Sequence, residues 1–250
     1  MTSAGLSPGT RPQGASDETQ AARRVHDMFA RIAPRYDLAN HILSFNRDRV
    51  WRRRTARALA APLQSADSRA LDLCCGTADL TLELARVSRG VVIGADFVHD
   101  MLLRAQEKMA RARSGVVLVE ADALALPFPD GAFDIVTAAF GFRNLANYQR
   151  GLEEIRRVLK PGGEAGILEF ALPQRGLFAR FYWIYFHSIL PWMGGVLSGD
   201  RAPYSYLPAS VRQFPDCAEF ARWMETAGFA EVRYQFWTGG TVVLYVGRKA

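Results

Sequence analysis

Three aspartates stand at or beside the ends of apolar runs in this chain. Asp72 lies in Leu71-Asp72-Leu73-Cys74-Cys75-Gly76-Thr77-Ala78-Asp79, Asp96 follows Val91 to Ala95, and Asp122 lies in Glu120-Ala121-Asp122-Ala123. A carboxylate at the end of a parallel strand accepts both hydroxyls of a ribose, which makes Asp96 a sugar-binding candidate. Asp122 can accept from an exocyclic adenine amine, with the Ala123 amide beside it. Between the first two acids, the small residues of the Cys74–Asp79 turn let a ligand approach the backbone. Gly76 is the only glycine there, and Thr77 with the start of the next helix offers donors. Asp79 serves a ligand amino group or caps that helix. The set predicts an adenosine-containing ligand. A nicotinamide dinucleotide would use Asp96 in the same way, but it also predicts a G-x-G-x-x-G turn that this chain lacks.

Alternating strands and helices must position these groups. From Arg69 onward the sequence predicts strands at 70–74, 91–95, 116–120, 133–139 and 165–170. Helices are predicted at 79–87, 100–113 and 149–159, the first with Leu80, Leu84 and Val87 on one face. The turn Lys160-Pro161-Gly162-Gly163 leads into the fifth strand. Repeated βα units with apolar strands predict a parallel sheet covered by helices on both faces. A helix at 217–227 then precedes strands at 231–237 and 241–246, joined by Gly239-Gly240 as an antiparallel hairpin. Leu126 to Asp134 reads as a structural turn set by Pro and Gly.

The first 18 residues are rich in Ser, Gly, Pro and Thr and are expected to be disordered. A helical cap over 19–62 follows, with Val25, Met28, Phe29 and Ile32 on one face, a break at Pro34, and a second helix from about Asn46 to Ala60. Residues 19–250 then form a single domain carrying an apolar insert at 172–208.

Composition excludes little. The 250 residues are 49% hydrophobic and 22% charged, with a formal charge of +6. That charge suits an anionic small molecule, an anionic membrane or nucleic acid. No zinc-finger or RNA-recognition pattern supports the last, so nucleic acid is not expected. Arg47, Arg49, Arg52, Arg53, Arg54 and Arg57 cluster as a solvated helix face or a phospholipid-facing patch. Cys74, Cys75 and Cys217 lack metal or redox spacing and suit a reducing compartment, and no metal site is expected. No apolar run follows a basic start, so no signal peptide is expected. The stretch from Gly176 to Leu197 is broken by Arg180, His187, Pro191 and glycines and makes a poor spanning helix. The expected location is cytoplasmic, peripheral on the inner face of the membrane.

Three segments carry a specific likeness. Arg35-Tyr36-Asp37-Leu38-Ala39-Asn40-His41-Ile42-Leu43-Ser44-Phe45 with Trp51, then Ala139-Phe140-Gly141-Phe142-Arg143-Asn144-Leu145, then Arg157 to Gly163 with Glu169-Phe170, resemble motifs of the ubiquinone/menaquinone biosynthesis C-methyltransferases. The likeness runs from about Val25 to Arg248. It implies a class I S-adenosylmethionine (SAM)-dependent methyltransferase, with a Rossmann-like α/β fold and a mostly parallel seven-stranded sheet ending in an antiparallel hairpin. SAM contacts carry over onto Thr77, Asp96, Asp122 and Ala123, with Asp72, Gly76 and Asp79 in the same turn. Ala139 stands where ubiquinone-type members often have Ser. Generic class I enzymes place three glycines in the first turn; here Cys74 and Ala78 replace the outer two. The Cys-Cys-Gly-Thr-Ala-Asp turn resembles the menaquinone branch.

By resemblance the acceptor is a polyprenylated quinol: demethylmenaquinol, with a polyprenyl benzoquinol or another lipid or small phenol as alternatives. A phenol deprotonated beside an unsubstituted ring carbon directs electron density onto that carbon, which then attacks the methyl in line. Such a site needs a base and a cation or donor for the phenolate. Arg143 is the candidate for the phenolate or a structural ion-pair member, with Asn144 beside it. Tyr36 and Asp37 close over the site, Asp37 equally as a helix cap. His187 is a weaker base candidate. The insert, with Phe178, Phe181, Tyr182, Trp183, Tyr185, Phe186, Trp192 and Met193, is a packed core or a wall for the isoprenoid tail that touches the bilayer. A homodimer stays open, as does a non-catalytic SAM-binding adaptor.

Overall fold

The computed structural model describes residues 8–173, 176–189, 193 and 202–250. Trp192 and the side chains of Phe178 and His187, singled out above, lie outside the described set.

Seven strands form one sheet: β1 (Arg69–Leu73), β2 (Val91–Asp96), β3 (Val117–Glu120), β4 (Phe133–Ala139), β5 (Leu159–Phe170), β6 (Phe229–Trp237) and β7 (Val242–Lys249). Their order is β3-β2-β1-β4-β5-β7-β6. β1 pairs in parallel with both β2 and β4, so the order reverses at β1 and the cleft at its carboxyl end is the ligand site the topology favours. β7 runs antiparallel between β5 and β6.

Strand periodicity divides two cores. Leu71, Val136 and Ile167 face one, while their neighbours Ala70, Ile135 and Leu168 face the other. The first core is closed by α6 (Tyr148–Val158) and a late helix, Cys217–Thr226, through Leu152, Ile155, Phe220 and Met224. The second is closed by α3 (Arg47–Ala58) and α4 (Asp79–Val87) through Trp51, Ala56, Leu80 and Leu84. α5 (His99–Ala112) packs beside β2 and β3.

The cap contains more helix than the pattern predicts. α1 (Glu18–Ile32) starts on Asp17, whose carboxylate accepts from the Gln20 amide, and it passes into a 3-10 turn at Ala33–Arg35 containing Pro34. The following segment, Tyr36–Leu43, is itself a helix, α2. The strand predicted from Ala165 begins earlier, at Leu159, which pairs with Phe133 before Lys160–Gly163 bulge out and pairing resumes at Glu164. In the insert, α7 (Gly176–Ile184) continues as a π turn through Ile189, and α8 (Ala202–Gln213) follows. The late helix Cys217–Thr226 is α9.

Composition predicts disorder through residue 18, yet residues 8–17 lie against the domain. The Tyr148 amide donates to Pro8 O at 2.8 Å, the Thr10 amide to Leu145 O at 2.8 Å, and Thr10 is fully buried.

Candidate active site

The turn after β1 takes its shape from three left-handed residues: Cys74 (φ +53°), Gly76 (φ +56°) and Ala78 (φ +67°). These are the three positions where the generic pattern has glycine. The backbone conformation is kept, and two of its positions carry side chains at about 1–2 kcal/mol each. Burial pushes the Cys74 and Cys75 thiols well up, so neither is poised as a nucleophile.

Asp96 closes this turn from β2. Its Oδ2 accepts from the Gly76 amide at 2.7 Å and its Oδ1 from the Val98 amide at 2.9 Å. Burial holds its carboxyl above the usual range against these bonds. Asp72 sits deeper, accepting from the Thr81 hydroxyl at 2.6 Å and the Thr137 hydroxyl at 2.8 Å. Burial pushes it up to about 6.

Three cavities meet at the Tyr36 ring, which lines all of them. The first, about 780 Å³, brings together Tyr36, Gly76, Asp96, Asp122, Ala123, Ala139 and Asn144, with Phe97, Val98 and Met101 as apolar walls. Two carboxylates facing apolar surface suit a ribose and an adenine ring. The second, about 320 Å³, is polar: Tyr36, Arg52, Asp72, Gly76, Thr77, Asp79 and Ala139 line it. The third, about 590 Å³, lies between the cap and α8, bounded by Phe29, Tyr36, Arg52, Phe140, Arg143 and Phe170 among others. Its wall is a pair of tilted rings, Phe140 and Phe170, with centroids 4.4 Å apart. The Arg52 guanidinium lies 5.4 Å from the first ring and that of Arg143 5.3 Å from the second.

Arg143 is buried at the wall of the third cavity. Its Nη1 donates to Glu169 Oε2 at 3.0 Å and to Phe140 O, its Nε to Ser210 at 3.3 Å, and its amide to Glu169 Oε1 at 3.0 Å. It is therefore in a buried ion pair and also faces the third cavity. Asn144 lines the first cavity instead, where its Oδ1 accepts from the Tyr206 hydroxyl at 3.1 Å.

Asp37 lines none of the three cavities. It accepts from Thr77 at 2.5 Å and pairs with Lys108 at 2.7 Å, which clamps α2 onto the cofactor turn. Asp79 pairs with the same lysine at 2.5 Å. Burial pushes the Asp79 carboxyl up, but the charges of Arg52 and Lys108 bring it below the usual range.

Sequence reasoning placed Arg52 in the surface arginine cluster. The structure removes it from there: it is 8% exposed, while Arg47, Arg49, Arg53, Arg54 and Arg57 are exposed. The helical phase of α3 carried the signal, because Arg52 shares a face with Asp48, Ala56 and Leu59. Phe140, Glu169, Lys108 and Tyr206 were also missed as site residues.

Residues 16–249 match the family model described as the ubiE/COQ5 methyltransferase family. A demethylmenaquinone methyltransferase of Thermus thermophilus is 49% identical over 88% of this chain and 99% of its own length. One of Deinococcus radiodurans is 44% identical over 93% and 95%. A ubiquinone/menaquinone biosynthesis C-methyltransferase of Geobacter sulfurreducens is 43% identical over 92% and 90%. Among solved structures, a SAM-dependent methyltransferase, possible histamine N-methyltransferase, of Thermotoga maritima aligns with TM-score 0.63 at 18% identity, covering 90% of this chain and all of that one. That likeness shows the SAM-dependent methyltransferase fold. With the expected mostly parallel seven-stranded sheet and terminal hairpin, and a family match over nearly its full length, the chain belongs to the ubiE/COQ5 methyltransferase family.

Proposed function

We propose that this chain transfers a methyl group from SAM to a ring carbon of demethylmenaquinol, forming menaquinol. The observation that carries the reading is Tyr36, which lines both a cavity bearing Asp96 and Asp122 and an aromatic cavity bearing buried guanidiniums. The names of the relatives support the naphthoquinol acceptor. Bound SAM supplies an electrophilic methyl on a sulfonium.

The chain's own residues orient and stabilise. Asp96 takes the ribose hydroxyls and Asp122 with Ala123 the adenine edge. Phe140 and Phe170 present a tilted aromatic wall to a flat bicyclic ring. Arg143, held by Glu169 and Ser210, lines the third cavity and stabilises the oxyanion of a ring hydroxyl that loses its proton. The acceptor carbon then takes the methyl, the carbon–sulfur bond breaks, and the ring regains aromaticity by losing its hydrogen as a proton. Labelled-methyl transfer to reduced demethylmenaquinone, compared with a polyprenyl benzoquinol, tests this. Transfer to the benzoquinol alone would move the chain to the ubiquinone branch, and transfer to neither would end the quinol reading.

The same reading places the protein on an anionic membrane surface. No helix among the described residues is long and apolar enough to cross a membrane. Leu38 on α2, Phe45 just after it, and Leu177 and Phe181 on α7 are exposed. The two segments touch, since the Tyr185 hydroxyl donates to Leu43 O and its ring lies 5.8 Å from that of Phe45. Exposed arginines of α3 follow directly, pairing apolar insertion with phosphate attraction. Co-sedimentation with anionic vesicles checks this; no binding by the intact protein rules it out. Sedimentation equilibrium decides whether the chain forms a homodimer.

A further inference from the structure

Arg52 lines both the second and third cavities. Its Nη1 donates to Asp48 Oδ2 at 2.5 Å and lies 3.9 Å from Asp79. Asp48 is itself fixed by His41 Nδ1 at 2.7 Å and the Ser44 hydroxyl at 2.6 Å. Burial pushes the Asp48 carboxyl up, but His41, Arg52 and Ser44 together hold it well below the usual carboxylate range. The guanidinium is thus anchored at one nitrogen and packed on Phe140. Among the described residues, nothing accepts a hydrogen bond from Nε or Nη2. Buried donors left unmatched are costly, and a guanidinium presents such donors as a planar fork suited to a carboxylate.

The second cavity is where that fork finds a match. It is small and polar, and among the described residues Arg52 is the one cation lining it. Lys108, the nearest alternative, directs its Nζ to Thr77, Asp79 and Asp37. Asp72 and Asp79 line the same cavity, so both signs of charge are present within about 320 Å³. An amino-acid zwitterion needs that arrangement. The third cavity is mostly apolar and has Arg143 for an acceptor oxygen.

The geometry points to Arg52 as the residue that binds the α-carboxylate of the donor's methionine moiety, with the ammonium turned toward Asp79 and Asp72. This rests on the SAM reading above. It gives α3 a direct role in donor binding and makes the methionine end, not only the nucleoside, a determinant of affinity.

Calorimetric titration of the intact protein with two probes tests the assignment. S-adenosylhomocysteine carries the amino-acid moiety, whereas methylthioadenosine lacks it. Arg52→Gln is expected to weaken S-adenosylhomocysteine by about 10- to 100-fold while leaving methylthioadenosine within about twofold of wild type. Arg52→Lys keeps a cation for Asp48 and should fall between. Unchanged S-adenosylhomocysteine affinity in Arg52→Gln overturns the proposal. Equal weakening of both probes in both variants also overturns it, making Arg52 a strut of the fold. If the wild type binds neither probe, the SAM reading itself fails. The readout is affinity, so it is independent of the acceptor.

Discussion

Thr77 donates its hydroxyl to Asp37 Oδ1 at 2.5 Å, joining the cofactor turn to the helical cap across 40 positions of sequence. Lys108 of α5 completes the joint by bonding Thr77, Asp37 and Asp79. The cap is therefore fastened to the donor site by a polar clamp that is only partly exposed. Asp37→Asn and Thr77→Val are each expected to cost about 1–2 kcal/mol. The pair should be non-additive by at least about 0.5 kcal/mol, because they share one network. Urea unfolding of both singles and the double measures this, and strict additivity would dissolve the clamp.

Arg143 and Glu169 form a pair in which the carboxylate is fully buried. Removing the cation alone leaves a buried charge without its partner. Arg143→Ala should therefore lower stability by about 3–5 kcal/mol, along with methyl transfer. The combination Arg143→Met with Glu169→Gln removes both charges and should recover most of the melting temperature but not the activity. If the double variant turns over like wild type, Arg143 has no part in the chemistry.

Asp72 gives a pH signature. Its carboxyl is pushed from 3.8 to about 6 by burial, so the folded state holds a proton that the unfolded state releases. Its contribution to stability is full below pH 3.8 and is lost as pH rises through 6, amounting to roughly 3 kcal/mol at neutrality. Asp72→Asn avoids that loss while keeping an acceptor for Thr81 or Thr137. The melting temperature of the variant relative to wild type should rise between pH 4 and pH 7.5. A difference independent of pH would show that burial is not what sets this group.

Ala78 holds a left-handed conformation at the start of α4. Ala78→Gly relieves about 1 kcal/mol of backbone strain, offset in part by greater freedom in the unfolded chain and by lost packing against α5. Thermal melts should place the variant within about 1 kcal/mol of wild type, whereas Ala78→Val should be clearly destabilised because branching at Cβ worsens the left-handed fit.

Much of the fold is legible in the amino-acid order because its signals are local. Residues 79–87 and 133–139 match the predicted helix and strand end to end, since each carries its own periodicity and its own stop. The terminal hairpin follows from Gly239 and Gly240. Boundaries moved where a neighbour took over, as at Leu159, whose pairing with Phe133 of β4 extends the strand back across a bulge that holds a proline and two glycines. Helix α2 was missed because eight residues with a mixed pattern read as the approach to a motif.

The sequence by itself determined the order of strands and helices, the acids at the strand ends and the family resemblance, since these depend on residue type and short spacing. Tertiary structure alone decided which charged groups are buried and what they face. Arg52 and Arg54 are two residues apart in one basic run, yet one is buried at the junction of two cavities and the other is exposed beside Trp237. Asp37, read equally as closing the site or as a helix cap, bonds Thr77 and Lys108 and so joins the cap to the turn. Hydrogen-bonded partners 29 and 40 positions apart become neighbours only once the sheet brings α2, α4 and α5 together. Burial then sets the strength of each contact, because a charge removed from water depends on whichever partner the fold supplies.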